Sequence, residues 1–304
     1  MLTNEQITKV KGLGCLRDKT TEDCFNVRTL TVNGKLKAEQ LSVIIDAAKK
    51  FGNGEIAFTT RLTVEIQKVP YDNIEPLRAY LNEFGIETGG TGPKVRPVVS
   101  CKGTTCVFGL IDTFKLSEQI HYQFYKGYHD IKLPHKFKIA VGGCPNNCVK
   151  PDLNDVGVIG QKVPKIDLEK CKGCKACVVE KACPMKAISV IDNKVSLSTD
   201  ICNNCGRCIT KCPFKAFEQF TTGYRVFIGG RWGKKYNRGI PLTKIFNSEQ
   251  EVLNIIEKII LVYKDLGIQG ERLSETIERI GFNKVELILY SNELIERKDE
   301  ILKK

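Results

Sequence analysis

A chain of 304 residues with 42% apolar and 27% charged side chains can bury a sizeable core and hold two domains, or one domain carrying an inserted module. Its net charge of +12 calls for a partner, either nucleic acid or a small, multiply anionic ligand or acidic protein, and charge alone favours neither. No basic run interleaved with aromatics and no helix-turn-helix or RNA-binding signature is present, and no nucleic acid is expected. No apolar leader opens the sequence, and the apolar stretch 252–263 is broken by Glu257 and Lys258 and is too short to span a bilayer, so a cytoplasmic protein with reduced thiols and no membrane span is expected.

In chain order, Cys15 and Cys24 come first, on loop-like sequence, and read as buried free thiols. "FNVRTLTV" (25–32) alternates like a strand, and "KAEQLSVIIDAAKKFG" (37–52) has helical spacing that stops at a glycine. "EIAFTT" (55–60) and "LTVEIQKV" (62–69) predict a hairpin, followed by a helix over "NIEPLRAYLNEFG" (73–85). The order β-α-β-β-α predicts a split βαβ half-domain over 1–90. "GGTGPK" (89–94) lacks Walker spacing and reads as a linker. A second unit is expected over 95–163 and 220–304, interrupted at 164–219 between the strands "DVGVIG" (155–160) and "YRVFIGG" (224–230). Helices are expected at 248–266 and 272–280, with a charged peripheral element after them. His121, His129 and His135 have no ligand spacing and read as structural.

The 14 cysteines carry the strongest signal. Cys171, Cys174 and Cys177 are each separated by two residues, and Cys183 follows before Pro184; Cys202, Cys205, Cys208 and Cys212 repeat the pattern before Pro213. Three thiolates on one short loop can face three corners of a cubane, and the distant fourth cysteine of this pattern serves the other cluster. Cys171, Cys174, Cys177 and Cys212 are thus assigned to one 4Fe-4S cluster, and Cys202, Cys205, Cys208 and Cys183 to a second. A zinc ribbon would use two separate Cys-x2-Cys knuckles, so each triplet offers one sulfur too many for that alternative. Residues 165–219 resemble a bacterial two-cluster ferredoxin. Upstream, Cys101 and Cys106 pair with Cys144 and Cys148 as two close thiolate pairs, able to clasp a third cluster or a structural zinc ion.

The segments "FNVRTLTVNGKL" (25–36), "FTTRLTVEIQ" (58–67), "KVRPVVSCKGTTC" (94–106), "LPHKFKIAVGGCPNNC" (133–148) and "GYRVFIGGRWGKK" (223–235) resemble the siroheme-containing sulfite and nitrite reductases, especially the C subunits of anaerobic sulfite reductases. With the ferredoxin insert, the resemblance covers about residues 11–281. It implies an α+β siroheme sulfite/nitrite reductase-like fold, with a ferredoxin-like N-terminal half-domain and an inserted two-cluster ferredoxin module. It makes 95–163 with 220–304 the siroheme and 4Fe-4S binding domain. By the same resemblance Cys101, Cys106, Cys144 and Cys148 hold the third cluster, and Cys148 bridges it to the siroheme iron. The first pair here is separated by four residues rather than the five of many relatives, a difference one loop absorbs.

The resemblance also implies roles for cations. Arg28, Arg61 and Arg96 match arginines that contact siroheme or its anion, Lys136 and Lys138 match the pair that holds sulfite, and Arg231 is a candidate for a siroheme carboxylate. Siroheme is multiply carboxylated, and burying it uncompensated would be prohibitive. One opposite charge at about 4 Å contributes on the order of 4 kcal/mol at an effective dielectric near 20. Taken alone, Arg28 and Arg61 would read as solvated strand residues, Lys136 and Lys138 as a solvent-facing strand edge, and the stretch around Arg231 as a glycine turn before a basic loop. The implied activity is six-electron reduction of sulfite to sulfide, fed through the ferredoxin clusters by iron-sulfur and flavin subunits that draw on NADH, or by a free ferredoxin. The alternatives are nitrite reduction to ammonia on the same cofactors and a non-catalytic polyferredoxin.

Overall fold

The computed structural model describes residues 2–304. It opens with α1 (Asn4–Gly12), capped by Thr3 in a reciprocal capping box with Gln6, and a short edge strand β1 (Cys15–Arg17). Neither element was expected. Cys15 and Cys24 each begin a strand rather than lying in a loop, because β1 borrows its order from pairing with β2 (Cys24–Thr29), in the register Cys15↔Val27. Then come α2 (Ala38–Phe51), β3 (Ile56–Phe58), β4 (Val64–Pro70) and α3 (Ile74–Glu83). The strands make an antiparallel sheet of order β1-β2-β4-β3. Alternation in β2 buries Phe25, Val27 and Thr29 on the core side, where Ile44, Leu77 and Leu81 of the helices pack. Arg28 therefore leaves the opposite face, directly across from Glu65.

The larger half begins with β5 (Val99–Ser100), α4 (Thr113–Ile120) and a π-helical turn over His121–Lys126. β6 (Ile139–Gly142) and β7 (Val156–Lys165) run parallel to β5, while β10 (Gln219–Ile228) and β11 (Ile240–Phe246) complete the sheet antiparallel, in the order β11-β10-β7-β6-β5. Every residue of β6 is buried, as a central parallel strand requires. Its core is the molecule's largest, and α6 (Glu249–Leu266) supplies much of it through Val252, Ile256, Ile259, Ile260 and Tyr263. α7 (Leu273–Ile280), α8 (Phe282–Tyr290), α9 (Glu293–Glu296) and α10 (Lys298–Lys303) follow, and Leu289, Leu294 and Ile301 join the same core, so the charged C-terminal stretch is well anchored.

β7 and β10 pair over their whole length, from Ile228↔Val156 to Gln219↔Lys165. The chain thus leaves the sheet at Lys165 and returns opposite it at Gln219. The cysteine-rich segment hangs from that end, with α5 (Val178–Ala182) and the hairpin of β8 (Ile188–Ile191) and β9 (Lys194–Leu197). Asp192 and Asn193 both have positive φ, the pairing a type I′ turn needs. The apolar core of this segment is small: Val179, Ile188, Val195, Ile209, Ala216 and Phe217, with Cys208 among them.

Candidate functional site

The upstream cysteines leave the carboxyl ends of two adjacent parallel strands, where open α/β sheets place their ligands. Cys101 follows β5, and Cys144 and Cys148 follow β6. The register Ser100↔Val141 sets the two loops side by side, and the Gly143 amide donates to Cys101 Sγ at 3.1 Å. A Cβ on Gly143 would lie 2.8 Å from Gly103 Cα, so only glycine lets the loops close. The Cys144 thiol is pushed up by burial and by the neighbouring Cys101, Cys148 and Cys106. Cys101, Cys106 and Cys148 are thus neighbours of Cys144.

In the inserted segment, burial first, then the charges of Cys202, Cys205 and Cys183, push the Cys208 thiol up to about 11. Cys183, Cys202 and Cys205 are therefore near neighbours of Cys208. Cys171, Cys177 and Cys212 pack against the same small core, and Cys174 lies half-buried on the loop of Cys171. Backbone amides reach three of the module's sulfurs: Ala187 to Cys183 (3.3 Å), Val195 to Cys171 (3.4 Å) and Asn204 to Cys202 (3.4 Å). Such amide–sulfur bonds help set the potential of iron-sulfur clusters. Among the described residues no three His, Cys, Asp or Glu side chains converge as ligands of one ion must. The donor chemistry of these sets, cysteine thiols with no imidazole or carboxylate among them, is the kind that iron-sulfur clusters take. All fourteen cysteines are free thiols.

The inserted segment is fastened to the large sheet next to the upstream thiols. Lys162 of β7 pairs with Cys205 in a parallel bridge, and its amide donates to Asn204 O at 2.8 Å. The Arg207 guanidinium lies 5.5 Å from the ring centre of Phe108, two residues beyond Cys106.

Beside Cys148 opens a cleft of about 420 Å³, lined by Thr60, Arg61, Lys138, Lys150, Asn154 and Trp232 among others. Arg61 crosses from the small sheet to the large one: its guanidinium donates to Asn154 Oδ1 (3.0 Å), Pro97 O (2.7 Å) and Ile139 O (3.2 Å). Burial holds it down at about 10, with Arg96, Arg28 and Arg272 adding repulsion. Arg96 is likewise held down to about 10 by burial and by Arg28, and donates to Gly90 O. Arg28 is paired with Glu65 at 2.5 Å. Lys136 and Lys138 lie just before β6, in extended chain bridged to Val95 through Phe137, and flank that fully buried ring. Burial, with Arg61 and Arg272 nearby, holds the Lys138 ammonium down to about 8. Lys136 shifts the same way, through burial and then Arg272.

Two residues of this network escaped the sequence reading. Asp155 has no exposed surface, and Arg272, only 4% exposed, binds its Oδ2 at 2.7 Å. The same oxygen accepts the Lys138 amide at 2.9 Å. Burial pushes the Asp155 carboxyl upward against the pull of Arg272. Asp155 Oδ1 and the Nε atoms of Arg61, Arg96 and Arg272 are buried without a partner. Cations thus outnumber carboxylates here, and several donors remain unmet, which suits an anionic guest. Arg231 is tied to Glu275 at 2.8 Å in a neighbouring cleft, next to the Trp232 that lines this one. His121 is buried and held down to about 4 by burial, and His135 Nδ1 accepts the Lys136 amide at 2.7 Å.

An α+β fold with thiols at strand ends beside a cation-lined cleft is the architecture of an iron-sulfur protein class, and the family follows from comparison. Two family descriptions match: "Nitrite/Sulfite reductase ferredoxin-like half domain" over residues 17–84 and "Nitrite and sulphite reductase 4Fe-4S domain" over residues 91–294. The chain belongs to the nitrite and sulfite reductase family. It is 34% identical over 254 residues to the coenzyme F420-dependent sulfite reductase of Methanocaldococcus jannaschii, covering 83% of this chain and 40% of that one. Among the C subunits of anaerobic sulfite reductases, it is 31% identical over 173 residues to that of Salmonella typhimurium, covering 52% and 49%. The chain therefore spans less than half of either relative's length. In fold it is similar to dissimilatory sulfite reductase I, with TM-score 0.69, 24% identity and coverage of 88% and 69%. No helix among the described residues is long and apolar enough to cross a membrane.

Proposed function

We propose that this chain reduces sulfite to sulfide in six electron steps, with siroheme beside Cys148 and three 4Fe-4S clusters held by the cysteine sets above. The observation that carries this reading is one wall: Cys148, from a set of four thiols, lines the same cleft as Arg61 and Lys138. Siroheme, if bound there, would supply the iron and the redox chemistry for the reduction. The chain's own contribution is charge and order. Arg61, pinned across both sheets, offers its unpaired Nε to a carboxylate or oxyanion, and Arg231 stands at the margin for another carboxylate. Lys136, Lys138, Arg28 and Arg96 would bind the sulfite oxygens and stabilise negative charge as S–O bonds lengthen. Lys138 Nζ, poised near 8, can hold a proton for a leaving oxygen and be recharged from solvent. Electrons would come from a partner protein, an iron-sulfur and flavin assembly or a ferredoxin.

Protein purified without air is expected to show the Soret and α bands of a macrocycle, an iron count matching three clusters, and a larger kcat/KM for sulfite than for nitrite. A strong nitrite preference would reassign the substrate. A spectrum with only a broad brown shoulder would make the chain an electron carrier.

A further inference from the structure

The segment 89–94, read from sequence as a linker, is held at Gly89, Gly90 and Thr91. The Gly89 amide donates to Arg28 O at 3.1 Å, and the Thr91 hydroxyl donates to Lys11 O. Gly90 has φ +80°, and a Cβ there would lie 2.9 Å from Pro97 Cγ, so only glycine fits. Its amide donates to the Tyr125 hydroxyl at 3.1 Å, in a buried contact. Its carbonyl, on the other side, accepts from Arg28 Nη1 at 3.5 Å and from Arg96 Nη1. Two guanidiniums that repel each other thus share one neutral acceptor, and the Nε of Arg96 is left buried without a partner.

Tyr125 reaches Gly90 because it sits on an irregular turn. His121–Lys126 is π-helical, with the Gly127 amide bonded back to Tyr122 O at 3.0 Å, and such turns are frequent at functional sites. The buried ring of His121 stacks on Tyr125 with centroids 5.0 Å apart and closes off other positions for the phenol.

We propose that Tyr125 is a positioning residue for the anion site: its hydroxyl fixes the Gly90 peptide, and the Gly90 carbonyl then spaces Arg28 and Arg96 as a two-guanidinium clamp for an oxyanion. This rests on the sulfite reading above. Removing the hydroxyl leaves the Gly90 amide buried and unpaired, so the loop shifts and the clamp opens, while nothing that touches the reacting atoms has been removed.

The test uses the holoenzyme and its Tyr125→Phe variant, with sulfite binding followed by spectral titration, steady-state kinetics and amide exchange by mass spectrometry. Tyr125→Phe is expected to raise the sulfite Kd and KM about tenfold with kcat within about twofold, and to speed exchange in peptides over 86–96 but not in α6. In an Arg96→Lys background the same change is expected to add less than about twofold, since Tyr125 acts through that arginine. Gly90→Ala disturbs the same peptide from its other side and is expected to reproduce the pattern if Tyr125→Phe fails to fold. Unchanged sulfite affinity in both variants, or full additivity with Arg96→Lys, overturns the inference. A wild-type protein that binds no sulfite removes the functional reading and this inference with it, whereas a binding wild type beside an equally tight variant removes only the inference.

Discussion

The five-stranded half and the inserted thiol-rich segment hold themselves together in opposite ways. The former closes β6, β7, β10 and α6 around a continuous apolar core that includes Phe124, Phe137 and Tyr263. The latter buries only a handful of apolar side chains and places its half-buried cysteines against them. A core that small cannot offset the entropy of ordering the loops around it, so on the proposed reading cluster binding contributes to folding. In the cleft of the large half the polarity of the problem is reversed: apolar burial is ample, and the cost lies in cations gathered with too few carboxylates.

The largest test of this contrast is iron removal. Chelation under oxidising conditions is expected to speed amide exchange across 166–217 by about a hundredfold or more while α6 amides keep their protection. Loss of α6 protection at the same rate would mean the two regions fold as one. Next is Asp155→Asn, which leaves Arg272 buried and uncompensated; a loss of about 3–5 kcal/mol is expected in urea unfolding of the large half, with little change in the thiol-rich segment.

A third test is pH. Lys138 loses its proton near 8 in the folded chain rather than at its ordinary value of 10.5, because burial disfavours its charge. On the proposed reading sulfite needs the charged form, so kcat/KM is expected to fall as pH rises through about 8, and Lys138→Arg should move that fall upward. The stability effect has the opposite sign. Between the two values the unfolded chain holds a proton that the folded chain has released, so Lys138 makes the cofactor-free protein more stable as pH rises through that window. A urea midpoint that drops over the same range in wild type but not in Lys138→Arg would contradict this. The smallest effect is expected from Glu275→Gln, which breaks a partly exposed pair with Arg231: no more than about 1 kcal/mol in unfolding, and turnover unchanged.

The cysteine triplets stand out in sequence because their spacing is local: thiols two residues apart declare themselves within a dozen positions. The hairpin of β3 and β4 and helices α2, α3, α6 and α7 were legible for the same reason. Asp155 and Arg272 were not, since they lie 117 positions apart and each alone looks like an ordinary charge at the edge of a regular element. Arg61 carried a resemblance but not its crossing to Pro97 and Ile139, which exists only once the two sheets meet. β1 stayed hidden because three residues carry no period, and Tyr125 because a π-helical turn has no pattern of its own.

The bridge between Lys162 and Cys205 bears on how quickly the molecule works. A carrier on a slack tether must swing to its acceptor, and its throughput falls as the solvent thickens. Here a strand residue is hydrogen-bonded to the neighbour of Cys205, so on the proposed electron route the gap between donor and acceptor is set by backbone geometry rather than by diffusion. Adding glycerol or sucrose should slow the arrival of the outside partner and leave the internal hops untouched.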